Sequence, residues 1–195
     1  MKNFPLILIG ASTGGPGRIH TILSSLSHDF RGTIIIAQHM GEAFIPSFIK
    51  QLRGLTPLKI AEISSGVAVE PSTIYVCKVT SQLTIKEGCL WLEPVQDREH
   101  FYNPEINTLF HSGSNLDRSI ERIGIILTGI GDDGALGSLA LSQSGAQCYF
   151  ESEESATVFG MPRCAKELVT SGCVGSMDDI VKVIQHFGGR DVRMV

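Results

Sequence analysis

Long apolar runs are missing from this chain: none approaches the ~20 residues that a membrane-spanning helix needs. The apolar opening, Phe4-Pro5-Leu6-Ile7-Leu8-Ile9, is too short for a secretory leader and stops at a glycine-rich turn, not at a cleavage site. It reads as a first buried strand. The five cysteines form no CxxC pair and are odd in number, which speaks for reduced thiols in a cytoplasmic protein. Basic residues are few: 16 Lys and Arg stand against 20 Asp and Glu, and they are scattered. The net charge of -4 therefore advertises no face that would grip nucleic-acid phosphates. The histidines lack HxxxH or HExxH spacing, so no metal site is expected, and no cofactor signature stands elsewhere. Internal repeats, low-complexity tracts and linkers are also absent.

What is there is an ordinary globular balance of 43% hydrophobic and 18% charged residues in 195. That is enough to bury a core, and it predicts a single domain over 1–195 with a frayed tail over about 188–195. Apolar runs of strand length alternate with segments of helical period. Strands are expected over Phe4 to Ile9, Thr33 to Gln38, Leu58 to Ile63, Thr73 to Val79, Ile123 to Leu127 and Gln147 to Phe150. Helices are expected over Pro16 to Leu26, Phe44 to Leu52, Pro104 to His111, Ala135 to Ser144, Pro162 to Leu168 and Asp178 to Phe187. Asp178 is the candidate cap of the last one. Leu83 to Ile85 and Cys89 to Leu92 flank Lys86-Glu87-Gly88, a hairpin signal. Gln96 to Asn103 is polar and reads as loop. The alternation, with strands apolar throughout, predicts an α/β fold: a doubly wound, mainly parallel sheet, helices on both faces and an antiparallel hairpin added.

In such sheets ligands bind beyond the carboxyl ends of the strands. Three strand-end loops carry reactive residues. Gly10-Ala11-Ser12-Thr13-Gly14-Gly15-Pro16-Gly17 lies between a strand and a helix. A serine there presents its hydroxyl beside backbone N–H groups that could hold an oxyanion. The plainer reading is a serine helix cap in an anion-binding turn. No GKS or GKT follows, so the loop is not a P-loop. Gln38-His39-Met40-Gly41 sets a histidine after the second strand, either as a base or as a turn residue satisfied by backbone. Thr128-Gly129-Ile130-Gly131-Asp132-Asp133-Gly134 sets two acids before a helix, where they orient an imidazole or simply complement the helix dipole. It lacks the D-x-D-x-D-G alternation of a calcium loop. Together the loops supply a nucleophile, a base of the imidazole kind and a carboxylate to fix its tautomer, the set that acyl transfer needs. The order Ser, His, Asp differs from that of α/β-hydrolases, although Gly10-Ala11-Ser12-Thr13-Gly14 has their G-x-S-x-G form.

Four segments in this order resemble the CheB family of protein-glutamate methylesterases of bacterial chemotaxis. They are Gly10-Ala11-Ser12-Thr13-Gly14-Gly15, Gln38-His39-Met40, Leu127 to Ala135, and Phe159-Gly160-Met161-Pro162-Arg163. Asn103-Pro104 and Leu109-Phe110-His111-Ser112 are similar to the family's middle segment. The resemblance implies hydrolysis of glutamate methyl esters on the cytoplasmic helices of chemoreceptors, and deamidation of receptor glutamines. It implies Ser12 as nucleophile, His39 as base and Asp133, not Asp132, as the orienting carboxylate. The backbone amides of Thr13 and Ile130 become the oxyanion donors, with Met40 lining the cleft and Met161 and Arg163 lining or supporting it. The chain departs from the family in three places. It begins at the first catalytic strand, without a receiver domain. Lys78-Val79-Thr80-Ser81-Gln82 replaces a Gly-Asp-x-His turn, and Glu99-His100-Phe101-Tyr102-Asn103-Pro104 is more aromatic and less basic than usual. The alternatives are an esterase of the same architecture in another signalling pathway and a non-enzymatic phosphate- or nucleotide-binding module.

Overall fold

Four strands of this chain bury every residue they contain, and they build the centre of one sheet. In the computed structural model, which describes residues 4–95 and 102–189, these are β1 (Leu6–Ala11), β2 (Thr33–Gln38), β5 (Thr73–Cys77) and β8 (Arg122–Ile126). Strands apolar on both faces have no solvent side, so a layer of helices must cover each face. β3 (Lys59–Ile63), β9 (Gln147–Glu151) and β10 (Cys173–Gly175) complete seven strands in the order β10-β9-β8-β1-β2-β5-β3, every neighbouring pair parallel. The chain steps from β1 to β2 in one direction and later returns to the other flank of β1 as β8. The winding therefore reverses between β1 and β8.

One face of the sheet packs against α1 (Gly15–Ser24), α2 (Ile45–Leu52) and α6 (Met177–Gly188), through Ile19, Ile22, Phe48, Ile49, Ile180 and Ile184. The expected stripe of Ile45, Phe48, Ile49 and Leu52 is buried throughout. The other face packs against α3 (Ile106–Ser114), α4 (Ala135–Gln143) and α5 (Met161–Leu168). It also takes the apolar side of the hairpin β6 (Ser81–Lys86) and β7 (Cys89–Pro94), to which β4 (Val67–Ala68) adds a third antiparallel strand. The doubly wound fold with its antiparallel addition is the one expected from the alternation of elements.

Several details differ. β4 and β10 were not expected, because two or three residues are too few to show a period. α3 starts at Ile106, two residues beyond Pro104, which follows a cis peptide after Asn103. The cap of α6 is Ser176, not Asp178. Ser176 is extended (φ -65°, ψ 169°) and closes a capping box with Asp179, whereas Asp178 already lies in the first helical turn. Gly188 is helical, and its carbonyl accepts the Arg31 and Gly32 N–H groups at 2.8 and 2.9 Å. The rest of the expected tail, 190–195, and most of the expected loop, 96–101 with Glu99 and His100, lie outside the described residues.

Candidate active site

β1 ends at Ala11, and the chain turns through Ser12-Thr13-Gly14 into α1. The Ser12 N–H donates to the Thr128 carbonyl at 3.0 Å, and the Ser12 carbonyl accepts from the Gly15 N–H at 2.8 Å. The cap of α1 is Gly14, at φ 84°, with no side-chain capping bond. The Ser12 hydroxyl is thus not spent on the helix, and the plain capping reading falls. Ser12 lies close against Gly129: a methyl added there would fall 2.7 Å from Ser12 Cβ and 2.3 Å from Met161 Sδ. Only a residue without a side chain lets the β8 loop come this near the Ser12 turn.

β2 runs parallel to β1 with Ala11 opposite Gln38, so the next residues out of the two strands are Ser12 and His39. The His39 N–H donates to the Ala11 carbonyl at 2.8 Å. Gln38 is 2% exposed, and its amide Nε2 donates to the carbonyls of both Ser12 (2.9 Å) and His39 (3.0 Å). One buried side chain therefore pins the backbones of both Ser12 and His39.

The carboxylate comes from the far side of β1. Asp133 follows β8 and is wholly buried. His39 Nε2 lies 2.7 Å from Asp133 Oδ2. Oδ2 also accepts the Ile106 N–H at 2.7 Å, and Oδ1 accepts the Asn107 N–H at 2.9 Å. These amides belong to the first turn of α3, whose dipole favours an anion. A carboxylate only accepts, so Nε2 carries the hydrogen and Nδ1 presents its lone pair. Nδ1 is the atom left to take a proton. The imidazole is 12% exposed in its side chain, and it stacks on Tyr102 with centroids 4.8 Å apart and planes 5° from parallel. No hydrogen bond joins the Ser12 hydroxyl to His39 among the described residues; such contacts are commonly long in a ligand-free site and tighten on binding.

Beneath the Ser12 turn lies a second buried carboxylate. Glu151 ends β9, is wholly buried, and meets Arg18 Nε at 2.7 Å, the Thr128 N–H at 2.9 Å and the Ser155 hydroxyl at 2.9 Å. Arg18 also donates to the Ser155 carbonyl. The Thr128 hydroxyl in turn donates to the Thr13 carbonyl at 2.9 Å. This network ties α1, the β8 loop and the β9 loop into one floor.

The N–H groups of Thr13 and Ile130 make no hydrogen bond among the described residues, and Ile130 is 62% exposed. Met161 is wholly buried against Gly129, so of the two places expected for it, lining the cleft or supporting it, the structure has the second. Met40 is half-buried and packs on the core face that holds α1 and α2. Arg163 pairs with Glu167 at 3.0 Å, one turn along α5, on an exposed surface. Burial pushes the Cys77 and Cys148 thiols up to about 12, which leaves them unreactive near neutrality. Among the described residues no three His, Cys or carboxylate side chains cluster as metal ligands would.

Reading along the chain missed Tyr102, Asn107 and Glu151. Asn107 Oδ1 accepts the N–H groups of Gly134 (3.1 Å) and Gly137 (2.8 Å), which locks the start of α4 to that of α3. Glu151 had a signal, an acid at the end of the apolar run Cys148-Tyr149-Phe150. Tyr102 had only its place in an unusually aromatic segment.

The profile of the CheB methylesterase family matches residues 7–184. A protein-glutamate methylesterase/protein-glutamine glutaminase of Nitratidesulfovibrio vulgaris is 32% identical over 185 residues, which is 93% of this chain and 50% of that protein. One from Dechloromonas aromatica is 40% identical over 164 residues, 81% of this chain and 45% of that protein. The chain spans about half the length of the curated relatives it matches. The crystal structure of the Thermotoga maritima CheB methylesterase catalytic domain superposes with a TM-score of 0.86 at 25% identity, covering 95% of this chain and 99% of that one.

Proposed function

The chain belongs to the CheB methylesterase family, and we propose that it hydrolyses methyl esters of glutamate side chains on chemoreceptor helices and deamidates receptor glutamines. The observation that carries this reading is the 2.7 Å link from His39 to the buried Asp133, beside a serine turn whose hydroxyl caps no helix. In the forward step Ser12 Oγ attacks the ester carbonyl and its proton passes to His39 Nδ1. Asp133 stabilises the imidazolium that forms. The Thr13 and Ile130 N–H groups receive the developing oxyanion; one such donor lowers an acyl-transfer barrier by about 3–4 kcal/mol. Collapse expels methanol, which takes the proton back from Nδ1. Water then attacks the acyl-enzyme by the same route and frees the glutamate. With a glutamine side chain the leaving group is ammonia.

Large apolar side chains stay exposed on the loops and helix ends around these residues: Phe44 at 68%, Ile130 at 62% and Leu136 at 65%. They offer a receptor helix an apolar rim next to the serine. No described helix is long and apolar enough to cross a membrane, and the reading places the chain in the cytoplasm, where those receptor helices end.

Fluorophosphonate labelling with peptide mapping tests the assignment. Label is expected on Ser12, absent in Ser12→Ala and slowed at least ~10²-fold in His39→Ala. Methanol release from methylated receptor at the parent rate by Ser12→Ala would overturn it. Comparing that receptor with a small chromogenic ester separates a receptor enzyme from a general esterase.

A further inference from the structure

Tyr102 lies 63 residues from His39 in the chain, yet the two rings stack with centroids 4.8 Å apart and planes 5° from parallel. Such an offset-parallel pair needs both rings to be held, and the structure shows what holds the tyrosine. The Asn103 amide oxygen accepts the Thr80 N–H at 3.0 Å, and its Nδ2 donates to Glu42 Oε1 at 3.0 Å. The Glu105 N–H donates to the Thr80 hydroxyl at 2.9 Å. The next two residues supply the amides of Ile106 and Asn107 on Asp133. At its other end, the tyrosine hydroxyl rests on the backbone of the acid loop: a methyl at Gly131 would fall 2.6 Å from it. Asp132 and Asp133 lie close enough to this hydroxyl that, after desolvation, their charges hold its proton on. The phenol therefore stays neutral while the imidazole changes charge. A single short segment, 102–107, thus grips the catalytic pair from two sides, with a ring on the base and two amides on the acid.

We propose that Tyr102 is a positioning residue for the general base: its ring fixes the plane of the His39 imidazole so that Nε2 faces Asp133 while Nδ1 faces Ser12, and its π-face supports the imidazolium formed during acyl transfer. Free rotation of the imidazole would break the line from hydroxyl to carboxylate. The stacked face blocks that rotation and keeps water off the ring. A flat aromatic surface also interacts favourably with a cation, an effect absent from the neutral ground state. The role requires an aromatic ring and not the hydroxyl. It rests on the esterase reading above, and its test separates the two.

The test compares Tyr102→Phe and Tyr102→Leu in the whole chain. Tyr102→Phe should keep kcat within about 3-fold, whereas Tyr102→Leu should lower kcat about 10- to 30-fold with KM changed less than about 3-fold. In the NMR spectrum, the His39 ring protons should move downfield in Tyr102→Leu and stay in place in Tyr102→Phe, because only an aromatic neighbour supplies a ring current. Through-space cross-peaks between the two rings in the unaltered protein make the geometric part testable even if Tyr102→Leu does not fold. Parent-like kcat in Tyr102→Leu, equal losses in both variants, or missing cross-peaks would overturn the proposal. A parent protein that fluorophosphonate does not label at Ser12, with the cross-peaks present, would instead overturn the esterase reading and leave the stack standing.

Discussion

Asp133 and Glu151 are both wholly buried carboxylates at the carboxyl edge of the same sheet, one in the loop after β8 and one at the end of the neighbouring β9, yet they are partnered in different ways. Glu151 faces the Arg18 guanidinium, together with the Thr128 N–H and the Ser155 hydroxyl. Asp133 faces two backbone N–H groups and an imidazole, whose charge changes with the step of the proposed reaction. The first arrangement has one electrostatic state and serves as a floor. In the proposed reaction the second is completed only when a proton reaches His39, so a fixed ion pair serves structure there and a partner that takes up a proton serves chemistry.

The largest expected effect breaks this comparison on the Asp133 side. Asp133→Asn should cut kcat for ester turnover by roughly 10³–10⁴-fold, because an amide NH₂ cannot accept from His39 Nε2–H and invites the wrong tautomer. Its denaturation free energy should fall by only about 1–3 kcal/mol, the cost of facing that NH₂ to a backbone N–H. The Glu151 side should respond in the opposite proportion. Glu151→Gln leaves the Arg18 charge without a counter-ion. A fully buried pair broken this way costs about 3–5 kcal/mol, but the Arg18 side chain is 26% exposed, so about 1–3 kcal/mol is expected in chemical denaturation. The kcat of the folded fraction should drop less than about 10-fold, since the amide oxygen can still accept the Thr128 N–H. Equal kcat losses in the two variants would abolish the distinction between floor and acid.

The smallest effect sharpens the comparison with an exposed carboxylate. The Ser176 hydroxyl, and then the Ser176 N–H, hold Asp179 below its ordinary value of 3.8. A carboxyl whose folded value is the lower one stabilises the fold at pH above its ordinary range and loses that contribution as pH falls through the folded value. The stability difference between parent and Asp179→Asn should therefore be constant from neutrality down to about pH 4 and shrink below it. Urea titrations at several pH values would show this. A difference that grows as pH falls would contradict the capping role.

Much of this was legible along the chain because the signals were local. Continuous apolar runs marked β1, β2, β5 and β8, and a four-residue stripe marked the buried side of α2. Glycine-rich turns after apolar strands marked the loops of Ser12 and Asp133. Where a signal needed more residues than an element contains, as in β4 and β10, nothing could be read. The α6 cap was misplaced by two residues because serine and aspartate are both good caps, and backbone dihedrals decide between them.

By itself the sequence determined the alternation of strands and helices, the all-buried character of the central strands and the kinds of groups at the strand ends, since each depends on residues a few positions apart. Only the tertiary structure decided which groups meet. Strand order put β1 between β2 and β8, register set Ser12 beside His39, and the segment before α3 laid Tyr102 on the imidazole and two amides on Asp133. Those contacts join residues tens of positions apart, and their free energy depends on packing the whole sheet, which no local pattern encodes.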